Sequence, residues 1–310
     1  MKPLLITGSH RSGKTWVSRC LMLSRNFSLI HEPFSNYRGP NHQSKLIPAL
    51  RYTYTHIDES NAAQFKDDVR DIFHYPTYCV RLAKDRGMNI QDGLKLMAKL
   101  SLGILKGKKC PLIDSPFLFF SADWMHLSFD ARVIVMIRNP ASFVADCKAA
   151  GYGFDFSNLL NQKQLMTGKL ALFAEEIERA SQPGAVSLVS SNALLWKLIY
   201  HYADVYRQQF PAWMFVRFED MVGDPIHEVN WLYNKLNLPF DSVVQRRLKN
   251  FLLKPDDSGE KFIMTERTMP YPVQKALKPH KSLLTDEEIE LVRKITGPVA
   301  GRFYQESEWL

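Results

Sequence analysis

The chain predicts an α/β fold in which helices flank a parallel β-sheet. Three observations lead there. Short apolar runs recur along the sequence, longer stretches between them carry apolar residues at spacings of three and four, and a glycine-bearing loop directly follows the first run. With 310 residues, 45% of them hydrophobic, the chain can bury a full core, and a single globular unit over 1–310 is expected.

"PLLIT" (Pro3–Thr7) is the first strand, followed by a loop and a helix over Thr15–Leu23. "LIHEP" (Leu29–Pro33) is a further short strand. "PLIDS" (Pro111–Ser115), "RVIVMIR" (Arg132–Arg138) and "WMFVRFED" (Trp213–Asp220) read as buried strands, each preceded by enough chain to hold helices. Helical periodicity marks Asp92–Lys106, Asn158–Arg179, Asn192–Gln209 and Asp286–Thr296, the last opened by the capping signal "TDEE". Loop signals concentrate at 35–43, 152–157 and 254–279, where Pro255, Pro270, Pro272 and Pro279 lie.

A formal net charge of +8 favours anionic ligands without choosing among them. Cys20, Cys79, Cys110 and Cys147 are scattered, with no pair or nearby histidine at metal-binding spacing. They read as reduced thiols of a cytoplasmic protein. The first apolar run is far too short for a signal peptide or a membrane span, and no nucleic-acid partner is expected.

"LLITGSHRSGKTWVSRCL" (Leu4–Leu21) holds Gly8, Gly13, Lys14 and Thr15 in the spacing G-x-x-x-x-G-K-[ST]. A strand, a glycine turn and a helix start aim several backbone N–H groups at one point, and Arg11, Ser12, Lys14 and Thr15 add donors suited to phosphate oxygens. A nucleoside triphosphatase would also need an acid after an apolar strand to hold Mg²⁺. Asp114 follows only three strand residues including Pro111, and "FVRFED" carries Arg217 inside, so neither is a persuasive metal ligand. "RVIVMIRNPASFVADC" (Arg132–Cys147) delivers Arg138 at a strand end, then Asn139-Pro140 and a helix from near Ala141.

These motifs together resemble the PAPS-dependent sulfotransferases, whose signatures are a strand with a G-x-x-[RK]-S-G-T-T-W-like loop and a later strand ending in R-[NDH]-P. "GSHRSGKTW" and "IRNP" carry the likeness, and "HEPFSNYRGP", "VRFEDMVGDP" and "LTDEEIELVRKITGPVAGRFYQESEW" are similar to bacterial members. The resemblance implies a P-loop NTPase-like fold with a helical cap over roughly 40–110 that shapes an acceptor site. It also implies transfer of a sulfuryl group from 3′-phosphoadenosine 5′-phosphosulfate (PAPS) to a hydroxyl or amine of a small-molecule, carbohydrate or lipid acceptor, with no metal.

Carried over by position, Arg11, Ser12, Gly13, Lys14 and Thr15 would cradle the 5′-phosphosulfate, and Trp16 would pack on adenine. Arg138 would clamp the 3′-phosphate, and Arg267, with Lys275, Lys278 and Lys281, would belong to a basic closing loop. The chain departs from the pattern at three places. Lys14 replaces a second Thr, which leaves a Mg-ATP kinase or hydrolase as the alternative. Asp146 stands where a Ser commonly helps bind the 3′-phosphate, which either turns Asp146 away, with Lys148 or a neighbour replacing the donor, or alters that subsite; a catalytically silent nucleotide-binding protein is the third reading. "DSP" replaces K-D-P, so that Lys14 would cover a missing cation. Sulfuryl transfer needs a base for the acceptor proton and positive charge on the leaving oxygen. Glu32 ranks first as base, His31 second and Asp114 third.

Overall fold

The computed structural model describes residues 2–35, 46–85, 109–253 and 280–309. Five strands form its sheet: β1 (Leu4–Gly8), β2 (Phe27–His31), β3 (Cys110–Asp114), β4 (Arg132–Ile137) and β5 (Met214–Arg217). Their order is β2-β3-β1-β4-β5, and every neighbouring pair runs parallel. The sheet therefore turns around β1: β3 lies on one side of it and β4 on the other. In such folds the crevice at this switch point, beyond the carboxyl ends of the strands, is where ligands bind.

Alternation along each strand sends side chains to opposite faces. Leu4, Ile6, Ile134 and Met136 join one core, and Leu5, Val133, Val135 and Ile137 join the other. Helices α1 (Lys14–Met22), α11 (Pro225–Lys235) and α12 (Ser242–Leu253) serve the first core. The second is larger. It is built by α2 (Ala63–Phe73), α3 (Tyr75–Asp85), α4 (Ala122–Phe129), α5 (Pro140–Ala149), α9 (Leu188–Gln209) and α14 (Asp286–Ala300). Trp196, Tyr200 and Tyr206 of α9 are its largest fully buried side chains on that helix.

Several sequence expectations need correction. The periodic stretch Asn158–Arg179 is not one helix: it divides into α6 (Ser157–Leu160), α7 (Lys163–Thr167) and α8 (Ala174–Ala180). Tertiary hydrogen bonds break it at Gln162, whose Nε2 donates to Tyr54 O at 2.8 Å and whose Oε1 accepts from His56 N at 2.8 Å. Helix α9 starts four residues before Asn192, capped by Ser187, whose side chain accepts from Ser190 N. The last strand stops at Arg217, and "FED" opens the short helix α10 (Phe218–Gly223). α14 keeps its expected start, with a complete Thr285/Glu288 capping box, and the short helix α13 (His280–Leu283) precedes it. The helix expected over Asp92–Lys106 lies outside the described residues.

Candidate functional site

β1 closes on Gly8, at φ +127°, where an added Cβ would sit 2.3 Å from Met136 O. Only glycine lets β1 and β4 stay paired up to the mouth of the crevice. The following loop is pinned from beneath. Ser12 Oγ donates to Ser9 O at 2.7 Å, and Tyr200 Oη, which donates to Met136 O at 3.0 Å, lies 2.8 Å from Ser9 Oγ. Gly13 then caps α1 at φ +86°, with no side-chain acceptor and no acid in the first turn. The N–H groups of Lys14, Thr15 and Trp16 have no intrahelical partner, so the positive end of α1 opens into the crevice.

On the β3 side, four ionisable residues converge. Lys14 Nζ lies 3.8 Å from Asp114 Oδ1, His31 Nδ1 lies 3.5 Å from Asp114 Oδ2, and His31 Nε2 lies 4.0 Å from Glu32 Oε2. The parallel register makes this possible, because β2 and β3 align His31 with Asp114 and β3 lies next to β1. Asp114 is 0% exposed, and among the described residues no donor reaches either carboxylate oxygen with hydrogen-bond geometry. Burial alone would raise its pKa, but the charge of Lys14, with His31 and Thr15 facing it, outweighs burial and holds the carboxyl below its ordinary value. The side chains of His31 and Glu32 keep 14% and 16% exposure, so they, unlike Asp114, can meet a molecule in the crevice. Glu32 sits at φ +42°, a strained conformation for a non-glycine residue, and its N–H donates to Asp114 O at 2.7 Å. Arg11, at φ +58°, is the corresponding strained residue of the loop.

On the β4 side stands Arg138. Its Nη1 donates to Arg11 O at 2.7 Å, its Nη2 lies 2.8 Å from Asp146 Oδ2, and its guanidinium lies 4.6 Å from the centre of the Phe218 ring. Trp196 Nε1 donates to Arg138 O at 2.8 Å and fixes the backbone. Asn139 caps α5, accepting from Ser142 N at 3.1 Å. Its own N–H donates to Glu219 Oε1 at 2.9 Å, and its Nδ2 donates to Glu308 O at 3.2 Å. Asp146 thus turns toward Arg138. Lys148 is committed elsewhere, to Glu288 at 2.7 Å and Leu283 O at 3.1 Å.

His10, inside the loop, packs on Phe143 and Tyr152, with Nδ1 3.3 Å from Tyr54 Oη and Nε2 3.3 Å from Cys147 Sγ. Burial first, then the charges of Lys14 and Arg11, push its pKa down to about 3, while burial pushes the Cys147 thiol up to about 12. The pair is a neutral imidazole beside a protonated thiol, which is not a nucleophile. A lowered histidine pKa means that the neutral ring's contribution is complete above the unfolded value near 6.5 and is lost as pH falls toward 3. Between pH 7 and 5, urea unfolding of the wild type is expected to lose stability faster than that of His10→Asn. The difference is bounded by about 1.4 kcal/mol per pH unit, and parallel slopes would show that His10 is not held neutral by the fold.

The fold therefore brings the sequence candidates into two groups about one loop. Lys14, Thr15, His31, Glu32 and Asp114 lie toward β3; Arg11, Arg138 and Asp146 lie toward β4. Trp16 faces the first core, 6.3 Å from the Phe251 ring. Arg267, Lys275 and Lys278 lie outside the described residues. Sequence reasoning missed Phe218, which touches the place of both Gly13 and Arg138, and the anchors Tyr200 and Trp196. Their one local signal is the aromatic spacing of α9, which reads equally as core.

A parallel sheet whose switch point holds an uncapped helix start between a lysine and an arginine defines an anion-binding α/β site. The chain belongs to the Sulfotransferase family, whose profile matches residues 3–242. Among solved structures it is similar to the sulfotransferase domain from the curacin biosynthetic pathway, at 14% identity and a TM-score of 0.51, covering 97% of this chain and 98% of that one. It also matches the sulfotransferase STF9 from Mycobacterium avium, at 14% identity and a TM-score of 0.45, covering 98% of this chain and 77% of that one. No curated protein sequence matches. The fold, a parallel sheet flanked by helices, is shared with the curacin-pathway sulfotransferase domain, and no described helix is long and apolar enough to cross a membrane. Among the described residues no group of three or more His, Cys, Asp or Glu side chains could hold a metal ion.

Proposed function

We propose that the chain transfers a sulfuryl group from PAPS to a hydroxyl or amine of a small-molecule, carbohydrate or lipid acceptor. The observation that carries this reading is the pair of cationic poles flanking one loop: Lys14 opens α1, and Arg138, just past the end of β4, donates to Arg11 O at 2.7 Å. Two such poles suit a nucleotide charged at both its 5′ and 3′ ends. Arg11, Ser12, Gly13, Lys14 and Thr15 take the 5′-phosphosulfate in this reading and Arg138 takes the 3′-phosphate, with the part of the Trp16 ring not packed on the first core left for the adenine; Arg267 lies outside the described residues.

The acceptor oxygen attacks sulfur, the bond between sulfur and the 5′-phosphate oxygen breaks, and the acceptor proton passes to the Glu32 carboxylate. Lys14 neutralises the departing phosphate oxygen. Glu32 is the preferred base because it is reachable; His31 orients it, and the fully buried Asp114 holds Lys14 and His31 in place. In this reading the chain is one domain over 1–310, and residues 46–85, the described part of 40–110 before β3, belong to its acceptor side. A cytoplasmic location suits four free, buried cysteines.

Calorimetric titration tests the reading. Adenosine 3′,5′-bisphosphate is expected to bind without metal and more tightly than ADP, and Arg138→Ala to weaken the bisphosphate about ten- to hundredfold while leaving ADP nearly unchanged. A specific observation keeps a second reading, a Mg-ATP kinase or hydrolase. Asp114 ends the strand beside β1 and faces Lys14 and Thr15, as the acid of a P-loop Mg²⁺ site would. Preference for Mg-ATP with indifference to the 3′-phosphate would favour that reading over PAPS.

A further inference from the structure

We propose that Asp146 is the internal counter-ion of the 3′-phosphate subsite, occupying Arg138 until the donor arrives and so setting how strongly the enzyme distinguishes 3′-phosphorylated nucleotides from others. This rests on the assignment of Arg138 to the 3′-phosphate. The guanidinium lies over the Phe218 ring, with Nη1 on Arg11 O at 2.7 Å and Nη2 2.8 Å from Asp146 Oδ2. An incoming phosphate meets an arginine whose fork is already engaged.

The pair is shielded, with side chains 6% and 15% exposed, so solvent screens it little. A 3′-phosphate must therefore displace the carboxylate or share the guanidinium with it, and two anions at one cation repel. After Arg138, Arg11 is the second cation whose charge favours the ionised Asp146 carboxylate. Its burial already raises its pKa despite both arginines, which marks a carboxylate poorly compensated where it stands. A neutral residue here would leave Arg138 unneutralised in the free protein and available to the phosphate.

Affinities for adenosine 3′,5′-bisphosphate and for AMP, which lacks the 3′-phosphate, measured on full-length wild type, Asp146→Asn and Asp146→Ser, decide the matter. Both variants are expected to bind the bisphosphate about tenfold more tightly or better, with AMP within about twofold of wild type. The bisphosphate should also raise the melting temperature of each variant by more than it raises that of wild type, a readout that tolerates variants less stable when free. An unchanged ratio of AMP to bisphosphate affinity in both variants overturns the role of Asp146. Failure of wild type and both variants to bind either nucleotide overturns the donor assignment with it, and is told apart because AMP is lost as well.

Discussion

Replacing Lys14 by Met is expected to lower the transfer rate about 10²- to 10³-fold and to destabilise the protein, and the two losses separate. In the proposed reaction, the substitution removes the cation paired with Asp114 on the β3 side, which would neutralise the leaving phosphate oxygen. Loss of a single preorganised donor of this kind lowers kcat by about 10²- to 10³-fold. Structurally, Lys14 is 5% exposed and Asp114 is 0% exposed, so the substitution strands a carboxylate in the interior. Breaking such a buried pair from one side costs about 3–5 kcal/mol. The double variant Lys14→Met/Asp114→Asn should recover most of that stability in urea unfolding and none of the transfer rate.

The pH dependence of stability sharpens the test. In wild type the Asp114 pKa is held low, so its contribution is present above the ordinary carboxylate range and is lost on acidification. Without Lys14 the burial effect dominates, the sign inverts, and Lys14→Met should gain stability relative to wild type as pH falls through the carboxylate range. If the single variant is as stable as wild type at neutral pH, the two side chains are not a coupled pair.

The second large effect is expected at Gly13. An added Cβ would lie 2.1 Å from Phe218 Cδ2, and the backbone stands at φ +86°. Gly13→Ala therefore meets a steric barrier and a backbone one. Left-handed strain costs about 1–3 kcal/mol for a residue with a Cβ, and overpacking commonly adds about 1–3 kcal/mol. Pushing Phe218 aside would also disturb Arg138, whose guanidinium lies 4.6 Å from that ring's centre. Gly13→Ala should thus impair nucleotide binding at both poles. Adding Phe218→Ala removes the clash and leaves the backbone cost, so a double-mutant cycle should show a favourable coupling between the two substitutions of about 1 kcal/mol or more. Additive effects in that cycle would mean that the loop relaxes away from Phe218.

Much of this architecture is written locally. The loop from Gly8 to Thr15, the Asn139-Pro140 start of α5 and the Thr285/Glu288 capping box of α14 are each set by residues within seven positions of one another. Such signals act on neighbouring backbone and hold in any tertiary setting. The stretch 158–179 shows the limit. Its periodicity asks for a helix, but Gln162 finds carbonyl and amide partners more than a hundred residues away, and three short helices result.

Read by itself, the sequence determined that a parallel sheet would present a glycine loop, a lysine at a helix start and an arginine at a strand end, because period, caps and strand ends are local properties. Only the tertiary structure decided what those groups do to one another. Glu32, His31 and Asp114 rank as competing bases in the sequence. Parallel register between β2 and β3, with β3 beside β1, turns them into one connected chain ending at Lys14. Asp146 stands only eight residues after Arg138, but whether it faces or avoids that arginine depends on how α5 leaves the sheet against α9 and the Phe218 ring. These are contacts between elements far apart in the chain, and their energies come from burial and charge at distances that no local pattern specifies.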